Sequence, residues 1–447
     1  MRLETQVNSR KWIGVGFAAL TDQGMVSSSS FVLNIFLARW LGSEQYGSYA
    51  LAFSIFLFLA LFHNALILEP MSVFGPSVYR ESLPEYLGQL MRLHFMITGV
   101  LAGLVCIASV GLGFFATQAP LAPGFWGVSI SVPFILFFWL WRRAAYLRTQ
   151  PNVAIRGAVV YAITTLVFVL VLEQLRLLSS FSAFAAQAVA GVAASLILIW
   201  NIRPRLSSAG YSLSSVFQRH WNYGRWVAVS AFVFWMNGGA YYVIVGSMLG
   251  MRDVAGLRAI QNFVLPVNQF VAAVTLLLLP RAAESFNSQN RVEFRRKIGL
   301  ITLLFTGAAT IYGIAVVAFG HRLIEMVYGG RYTEYSYLLP WLALGVLLTA
   351  MAQGPMIAMQ AMQVPAEIFK GYAIGAATIL LGIMLTRHYG LFGATLGLTA
   401  ISSLAFLLYV GYRCNSMLNN AKTPVLGQSL EGSKSQLHEQ LAREGGE

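Results

Sequence analysis

Two ionisable side chains lie inside long apolar stretches of this sequence, where an unpaired charge is costly. Asp22 falls in the apolar stretch 13–38, and His63 falls near the end of the next stretch, 47–69. If the two stretches are adjacent antiparallel helices, a rise of about 1.5 Å per residue places Asp22 roughly 13 Å, and His63 roughly 10 Å, from the same boundary. We therefore hypothesise that Asp22 and His63 pair and take up a proton or a cation. The alternative is that Asp22 is merely hydrated near the cytoplasmic vestibule and His63 packs through a neutral hydrogen bond.

Other polar side chains in or beside the apolar stretches have the chemistry of ligand binding. Amides both donate and accept hydrogen bonds, which suits hydroxyl groups, and guanidinium groups offer paired donors to anions. The amide candidates are Asn34, Asn64, Asn237, Asn262, Asn268 and Gln269, and the arginine candidates are Arg39, Arg142, Arg143, Arg225 and Arg258. The alternatives are ordinary hydrogen bonds between helices for the amides and anchoring at the membrane boundary for the arginines.

The composition is that of an integral membrane protein. Of the 447 residues, 57% are hydrophobic and 11% are charged, whereas soluble domains have about 25% charged residues. Apolar runs of roughly 20 residues, the length that spans a bilayer, leave no room for a sizeable soluble domain. We attribute the net charge of +13 to cytoplasmic loops rather than to nucleic-acid binding. The two cysteines lie in or beside apolar segments and predict no disulfide framework.

Twelve membrane spans account for nearly the whole chain. They are predicted at 13–38, 47–69, 93–116, 123–141, 153–173, 179–201, 223–249, 258–280, 298–320, 337–362, 368–387 and 391–412. This arrangement places 23 of the 30 Lys and Arg residues on one side. Because positive loops stay in the cytoplasm, both termini are predicted to be cytoplasmic.

Sequence landmarks recur at an offset that grows slowly along the chain. Leu41-Gly42 recurs as Leu249-Gly250, and Pro151 recurs as Pro365. Six spans in each half imply a parallel repeat with a path between the halves, although glycines and prolines can also coincide at helix ends by chance. The predicted division is an N-terminal six-helix lobe (1–205), a cytoplasmic linker (206–222), a C-terminal six-helix lobe (223–414) and a disordered cytoplasmic tail (415–447).

The segment LARWLGSEQYGSYALAFSIFLFLA (37–60) combines Ala-Arg, Leu-Gly, an acidic residue, Tyr-Gly and an Ala-rich second helix. It resembles the first-loop signature of polysaccharide transporters. The chain is similar to the Wzx-type O-antigen and exopolysaccharide flippase branch of the multidrug/oligosaccharidyl-lipid/polysaccharide (MOP) exporter superfamily. The resemblance implies an all-α integral membrane protein with a MATE-like fold, in which about 12 helices form two lobes around a central cavity.

The resemblance also implies a function in the bacterial inner membrane. A polyprenyl-pyrophosphate-linked oligosaccharide would move from the cytoplasmic to the outer leaflet by alternating access, driven by an ion gradient. The amide candidates would then meet the sugar, and the arginines the pyrophosphate. Membrane lipid, a polymerase and a chain-length regulator are the implied partners, with no cofactor, metal or nucleic acid.

Three other functions compete with this interpretation. A cation-coupled multidrug exporter has the same span number but should line its cavity with acidic residues. A lipid II flippase generally has fourteen spans. A membrane-embedded glycan synthase or ligase needs a catalytic outer loop, and the longest predicted one, 321–336, has few reactive side chains. The sequence also lacks the Gly-x4-Gly-Lys-Ser/Thr motif of ATP-driven machines. A secondary transporter fits best, and no enzymatic activity is expected.

Overall fold

The computed structural model of the protein describes residues 2–115, 121–205, 212–287 and 290–419. Every regular element in these ranges is helical. The α-helices are α1 (Arg2–Trp40), α2 (Ser43–His63), α3 (Glu69–Ser77), α4 (Leu83–Phe115), α5 (Leu121–Leu147), α6 (Pro151–Gln174), α7 (Ser180–Ile202), α8 (Leu213–Met236), α9 (Ala240–Met248), α10 (Met251–Gln261), α11 (Leu265–Asn287), α12 (Arg291–Tyr328), α13 (Leu339–Ala361), α14 (Pro365–Ala377), α15 (Ile379–Thr395) and α16 (Ser402–Asn419). Two π-helical segments, Asn64–Leu68 and Leu396–Ile401, connect α2 to α3 and α15 to α16, and the 3-10 helix Thr333–Leu338 precedes α13.

Most of these helices can cross a membrane. In the described ranges, nine helices are long and apolar enough, or ten if α8 and α9, which meet at a bend of 44°, form one broken span. One of the nine, Pro365–Asn419, contains a break at Gly390, where φ is 58°. It therefore accounts for two predicted spans, 368–387 and 391–412. The predicted span 13–38 lies in α1, which has 39 residues but is not among the nine. The protein is an all-helical integral membrane protein.

Two predicted spans are interrupted near the middle. The span predicted at 223–249 consists of α8 and α9, which are separated at Asn237-Gly238-Gly239, a sequence of low helix propensity. The span predicted at 258–280 consists of α10 and α11, which are separated just before Leu265-Pro266. Proline disfavours helical backbone at the residue before it, which explains why a new helix begins there.

The division into two lobes stays a prediction. Helix α8 begins at Leu213, inside the predicted linker 206–222, whose residues 206–211 lie outside the described part of the chain. Residues 420–447 of the predicted tail also lie outside the described part.

Each half of the chain nevertheless has a buried core of its own. Trp141 belongs to a cluster formed mainly by α3–α7, and Phe294 belongs to a cluster formed by α11–α14 and α16. A third cluster joins the halves, because Tyr46 of α2 is buried together with Tyr241 of α9 and Val254 of α10.

The halves approach each other most closely where α2 meets α10. A Cβ atom on Gly47 would lie 1.9 Å from the carbonyl oxygen of Met251, so only glycine allows this packing, as is common between membrane helices. The repeated landmarks occupy matching positions, since Gly42 and Gly250 are the N-cap residues of α2 and α10. This contact packs the two halves tightly together at the end of the bundle that is predicted to face outward, and we refer to it as the closed end.

We expect Gly47→Ala to lower the free energy of unfolding by about 1–3 kcal/mol, because the methyl group forces α2 away from α10. Thermal unfolding of the purified protein in detergent would measure this change. Gly42→Ala is the matched control, since Gly42 has an ordinary φ of −61° and open space around it. Equal stability of the two variants would contradict close packing at Gly47.

Candidate functional site

A cavity of about 1630 Å³ lies between the two halves of the chain. Its walls come from α1, α2 and α5 of the first half and from α8 to α11, α13, α14 and α16 of the second. The predicted site residues that line it are Asp22, Asn64, Arg142, Arg143, Asn237, Arg258, Asn268 and Gln269. Those that do not line it are Asn34, Arg39, His63, Arg225 and Asn262. The cavity therefore brings together most of the predicted residues.

Asp22 forms an ion pair on the cavity wall, but its partner is not His63. Arg142 Nε lies 2.8 Å from Asp22 Oδ2 and 3.0 Å from Oδ1. The hydroxyl of Tyr146 donates a further hydrogen bond of 2.5 Å to Oδ2. The carboxylate is 1% exposed and the Arg142 side chain 16%, so the charges neutralise each other at the boundary of the cavity. The predicted pairing of Asp22 with His63 is wrong.

His63 points into the helix core instead. Its Nε2 lies 2.9 Å from Nδ1 of His94 in α4, and both side chains are fully buried. Asn64, the next residue in the chain, instead lines the cavity. The predicted coupling residues thus lie in separate environments, one on the cavity wall and one behind it.

Arg258 is a buried cation near the closed end of the cavity. Its Nε donates a 3.1 Å hydrogen bond to Oδ1 of Asn34, and one terminal nitrogen donates a 3.3 Å bond to the hydroxyl of Tyr242. The guanidinium also lies over the ring of Phe53, 5.2 Å from its centroid. Among the ion pairs of the described residues, none includes Arg258. Its charge is therefore met by neutral dipoles and an aromatic face, not by a carboxylate.

Several predicted amides have structural roles. Asn237, at the break between α8 and α9, donates 2.9 Å bonds to the carbonyls of Val233 and Tyr372 and accepts a bond from Ser402. Asn262 is buried and donates 3.2 Å bonds to the hydroxyls of Tyr46 and Tyr328.

The remaining candidates divide by exposure. Asn268 and Gln269 are exposed to the cavity, and so is Arg143. Arg39 and Arg225 are exposed outside it, and the Arg225 guanidinium lies over the ring of Trp226. Boundary anchoring is the better interpretation for these two arginines.

Among the polar cavity residues that sequence reasoning missed are Tyr146, Tyr242 and Gln261. Helical spacing is a signal that could have found two of them. Tyr146 lies four residues after Arg142, and Gln261 lies three residues after Arg258, so each shares a helix face with its arginine. Tyr242 donates a hydrogen bond to Gln261 and accepts one from Arg258, which fixes the guanidinium.

The cavity carries an excess of positive charge. The charged side chains among its described lining are Asp22, Arg142, Arg143 and Arg258, and the carboxylate is already paired with Arg142. Arg143 and Arg258 form no ion pair with a described residue. Arg258 is buried, whereas Arg143 is exposed to the cavity, with the Glu69 carboxylate near enough to interact with it electrostatically. The arrangement can bind an anionic ligand, with the exposed amides as hydrogen-bonding groups.

Comparisons with known proteins agree with this architecture. Residues 36–337 match the model of a family described as "Polysaccharide biosynthesis protein". Among proteins with curated annotation, none is significantly similar in sequence. The solved structures of similar fold include an inward closed conformation of the lipid II flippase MurJ, with 13% identity, a TM-score of 0.71 and coverage of 90% of this chain and 87% of MurJ.

Two other solved structures have the same fold. An inward-facing multidrug resistance MATE family transporter of the MOP superfamily has 13% identity and a TM-score of 0.71, over 89% of this chain and 96% of the transporter. A MOP superfamily transporter from Pyrococcus furiosus, described as having a binding pocket of reverse polarity, has 12% identity and a TM-score of 0.62, over 92% and 96%. The chain therefore belongs to the polysaccharide biosynthesis protein family and has the fold of the MOP superfamily.

Proposed function

We propose that this protein is a flippase that moves a lipid-pyrophosphate-linked oligosaccharide from the cytoplasmic to the outer leaflet. The excess of arginine over acidic side chains in the cavity is the observation that carries the proposal. The family match to polysaccharide biosynthesis and the fold shared with MurJ and MATE transporters support it. Transport would proceed by alternating access, driven by an ion gradient.

The charge of the cavity fits a pyrophosphate. Arg142 and Arg143 lie near the end of α5 that is predicted to be cytoplasmic, and Arg258 lies near the closed end. A pyrophosphate would meet Arg143 first and Arg258 deeper in the cavity, while its polyprenyl chain stays in the bilayer. A guanidinium without a carboxylate partner loses no ion pair when it binds an anion, which favours these two arginines over Arg142.

The size and the neutral lining fit a sugar headgroup. A volume of about 1630 Å³ exceeds the roughly 300–1000 Å³ of typical small-molecule pockets. Asn268 and Gln269 present amides to the cavity, and amides match the donor and acceptor pattern of sugar hydroxyls.

The same charges disfavour a multidrug exporter of small cations. Among the described residues that line the cavity, Asp22 has the single carboxylate. That carboxylate already forms an ion pair with Arg142. A cation would lack a free acidic partner and would be repelled by Arg143 and Arg258.

We further propose that the protein resides in the bacterial inner membrane with both termini in the cytoplasm. The distribution of Lys and Arg supports this orientation. On the outer side, a polymerase and a chain-length regulator would use the transported oligosaccharide.

We expect Arg258→Gln and Arg143→Gln each to slow translocation by about tenfold to a hundredfold, because a hydrogen bond to a charged group contributes about 1.5–3 kcal/mol. A fluorescent polyprenyl-pyrophosphate oligosaccharide in proteoliposomes, quenched from outside, reports the rate. Arg225→Gln is the matched control, since Arg225 lies outside the cavity. Arg258→Lys should restore little activity, because lysine lacks the planar fork. Unchanged rates in both cavity variants would contradict pyrophosphate recognition.

Deletion of the gene tests the biological role. We expect surface polysaccharide to be lost and the lipid-linked precursor to accumulate in the cytoplasmic leaflet. Normal polysaccharide together with impaired dye efflux would instead establish the multidrug exporter.

The Asp22–Arg142 pair can be tested by a double-mutant cycle. We expect a coupling energy of at least about 1 kcal/mol between Asp22→Asn and Arg142→Gln in thermal unfolding, because either change leaves a partly buried charge without its oppositely charged partner. The matched control is Glu293–Lys297, whose side chains are 48% and 47% exposed, with an expected coupling of about 0.2–0.5 kcal/mol. Similar values for the two pairs would show that Asp22 does not hold Arg142.

A further inference from the structure

Two histidines form a hydrogen-bonded pair behind the cavity wall. His63 is the last residue of α2, and His94 lies in α4. His63 Nε2 and His94 Nδ1 are 2.9 Å apart, and His94 Nε2 lies 2.9 Å from the carbonyl oxygen of Pro133 in α5. The fourth ring nitrogen, His63 Nδ1, is buried and has no hydrogen-bond partner among the described residues.

This pattern fixes the protons of the neutral pair. A carbonyl oxygen only accepts, so His94 Nε2 carries a hydrogen and the neutral ring accepts at Nδ1. His63 must then donate from Nε2, which leaves its Nδ1 unprotonated. The neutral pair therefore has no buried N–H group without an acceptor.

An additional proton has no favourable place in this conformation. If it binds to His63, Nδ1–H has no acceptor. If the proton binds to Nδ1 of His94, Nδ1 donates a hydrogen bond to His63 Nε2. The hydrogen of His63 must then lie on its Nδ1, which again is a buried donor without an acceptor. A buried donor without a partner costs about 1–3 kcal/mol, and the buried charge adds to this cost. The conformation with the outer end closed thus holds the pair neutral.

The described surroundings offer no counter-charge. His94 otherwise contacts the rings of Phe95 and Phe137. The other charged or titratable groups on the neighbouring elements are engaged elsewhere or exposed. Glu69 accepts a bond from Tyr223, Arg142 pairs with Asp22, and His220 bonds to Tyr86. Arg92, two residues before His94 in α4, and Arg143, near the end of α5, are exposed cations. Because no nearby carboxylate stabilises a charged histidine, protonation of the pair depends on a change in the hydrogen-bonding environment of the two rings.

The position of His63 links the pair to the cavity and to the second half of the chain. The π-helical segment Asn64–Leu68 begins directly after it, and Asn64 already faces the cavity. Within that segment, the carbonyl of Leu66 accepts a 2.9 Å hydrogen bond from Nδ1 of His220 in α8. A π-helical turn has one more residue than an α-helical turn, so its conversion to α-helix would rotate His63 relative to the helix that follows.

We propose that the His63–His94 pair is a proton-binding site, and that proton binding favours the conformation in which the predicted outer end is open. The proton comes from water through the cavity, and rotation of α2 at the π-helical segment gives His63 Nδ1 a water or polar partner. The proposal rests on alternating access as proposed above, and it assigns the ion-binding step to the two histidines rather than to an Asp22–His63 pair.

The test measures opening of the outer end without any substrate. Met251→Cys, in a background with Cys106→Ser and Cys414→Ser, places a thiol where α2 and α10 are closed; Met251 is 9% exposed. Its alkylation by a maleimide in lipid nanodiscs is followed from about pH 8 to pH 5, the range in which histidine titrates. Rates are divided by those of an exposed cysteine to remove the effect of pH on the thiol. We expect accessibility to rise as the pH falls, by at most about tenfold per pH unit for one bound proton.

Variants of the pair should remove this dependence. We expect His63→Gln and His94→Gln each to give a flat profile. The matched control is His388→Gln, because His388 is an exposed histidine of α15, outside α2, α4 and the π-helical segment; it should keep the profile of the unaltered pair. A flat profile in the Met251→Cys protein with both histidines intact, or a slope that survives in either pair variant, would overturn the proposal. The first of these results does not depend on the folding of a histidine variant. Because substrate is absent, failure here is distinct from failure of the flippase assay.

Discussion

Hydrocarbon offers no partner to a polar group, and this constraint determines which way the polar residues of the membrane helices face. Helix α1 carries Asp22, a run of serines and Asn34, too many polar groups for a lipid-facing surface. Asp22 is accordingly buried against α5, and Asn34 is buried against Arg258 of α10. Asp22 and Asn34 thus each fix a contact between α1 and another helix, and Asp22 and Arg258, the partner of Asn34, both line the cavity.

The two charged sites of the cavity meet the same constraint in different ways. Asp22 and Arg142 neutralise each other, so that pair presents little net charge to a ligand. Arg258 has only neutral partners and an aromatic ring, so its charge is available to an anion that reaches the closed end. The hydrogen bonds that the guanidinium donates to Tyr242 and Asn34 hold it in place before a ligand arrives, which lowers the entropic cost of binding.

The sequence predicted the helical fold and the depth of residues along their helices, but not the neighbours of each helix. Asp22 and His63 were expected to pair from their distances to a shared boundary, which helix rise supplies. Which helix packs beside α1 depends on tertiary contacts, and α1 packs mainly on α6, with Asp22 turned to α5. His63 faces α4 for the same reason. The break at Asn237-Gly238-Gly239 had a local signal, whereas the partner of Arg258 comes from a segment 224 residues away in the chain and could not be read locally.

The contacts between the halves are of a kind that can be broken and remade. Of the ion pairs between described residues, every one lies within a single half of the chain, including Asp22–Arg142 and Glu367–Arg413. The halves are joined by neutral hydrogen bonds such as Asn262 to Tyr46 and Ser54 to the Gly239 carbonyl, each worth a net ~0.5–1.5 kcal/mol. Two further bonds have a charged donor, Arg258 to Asn34 and Arg331 to the Leu41 carbonyl, and are worth about 1.5–3 kcal/mol each. An ion pair broken in a dry interface would leave two unpaired charges, at a cost of several kcal/mol. Because the ion pairs between described residues lie within one half or the other, the halves can separate without breaking any of them, which favours the movement that alternating access requires.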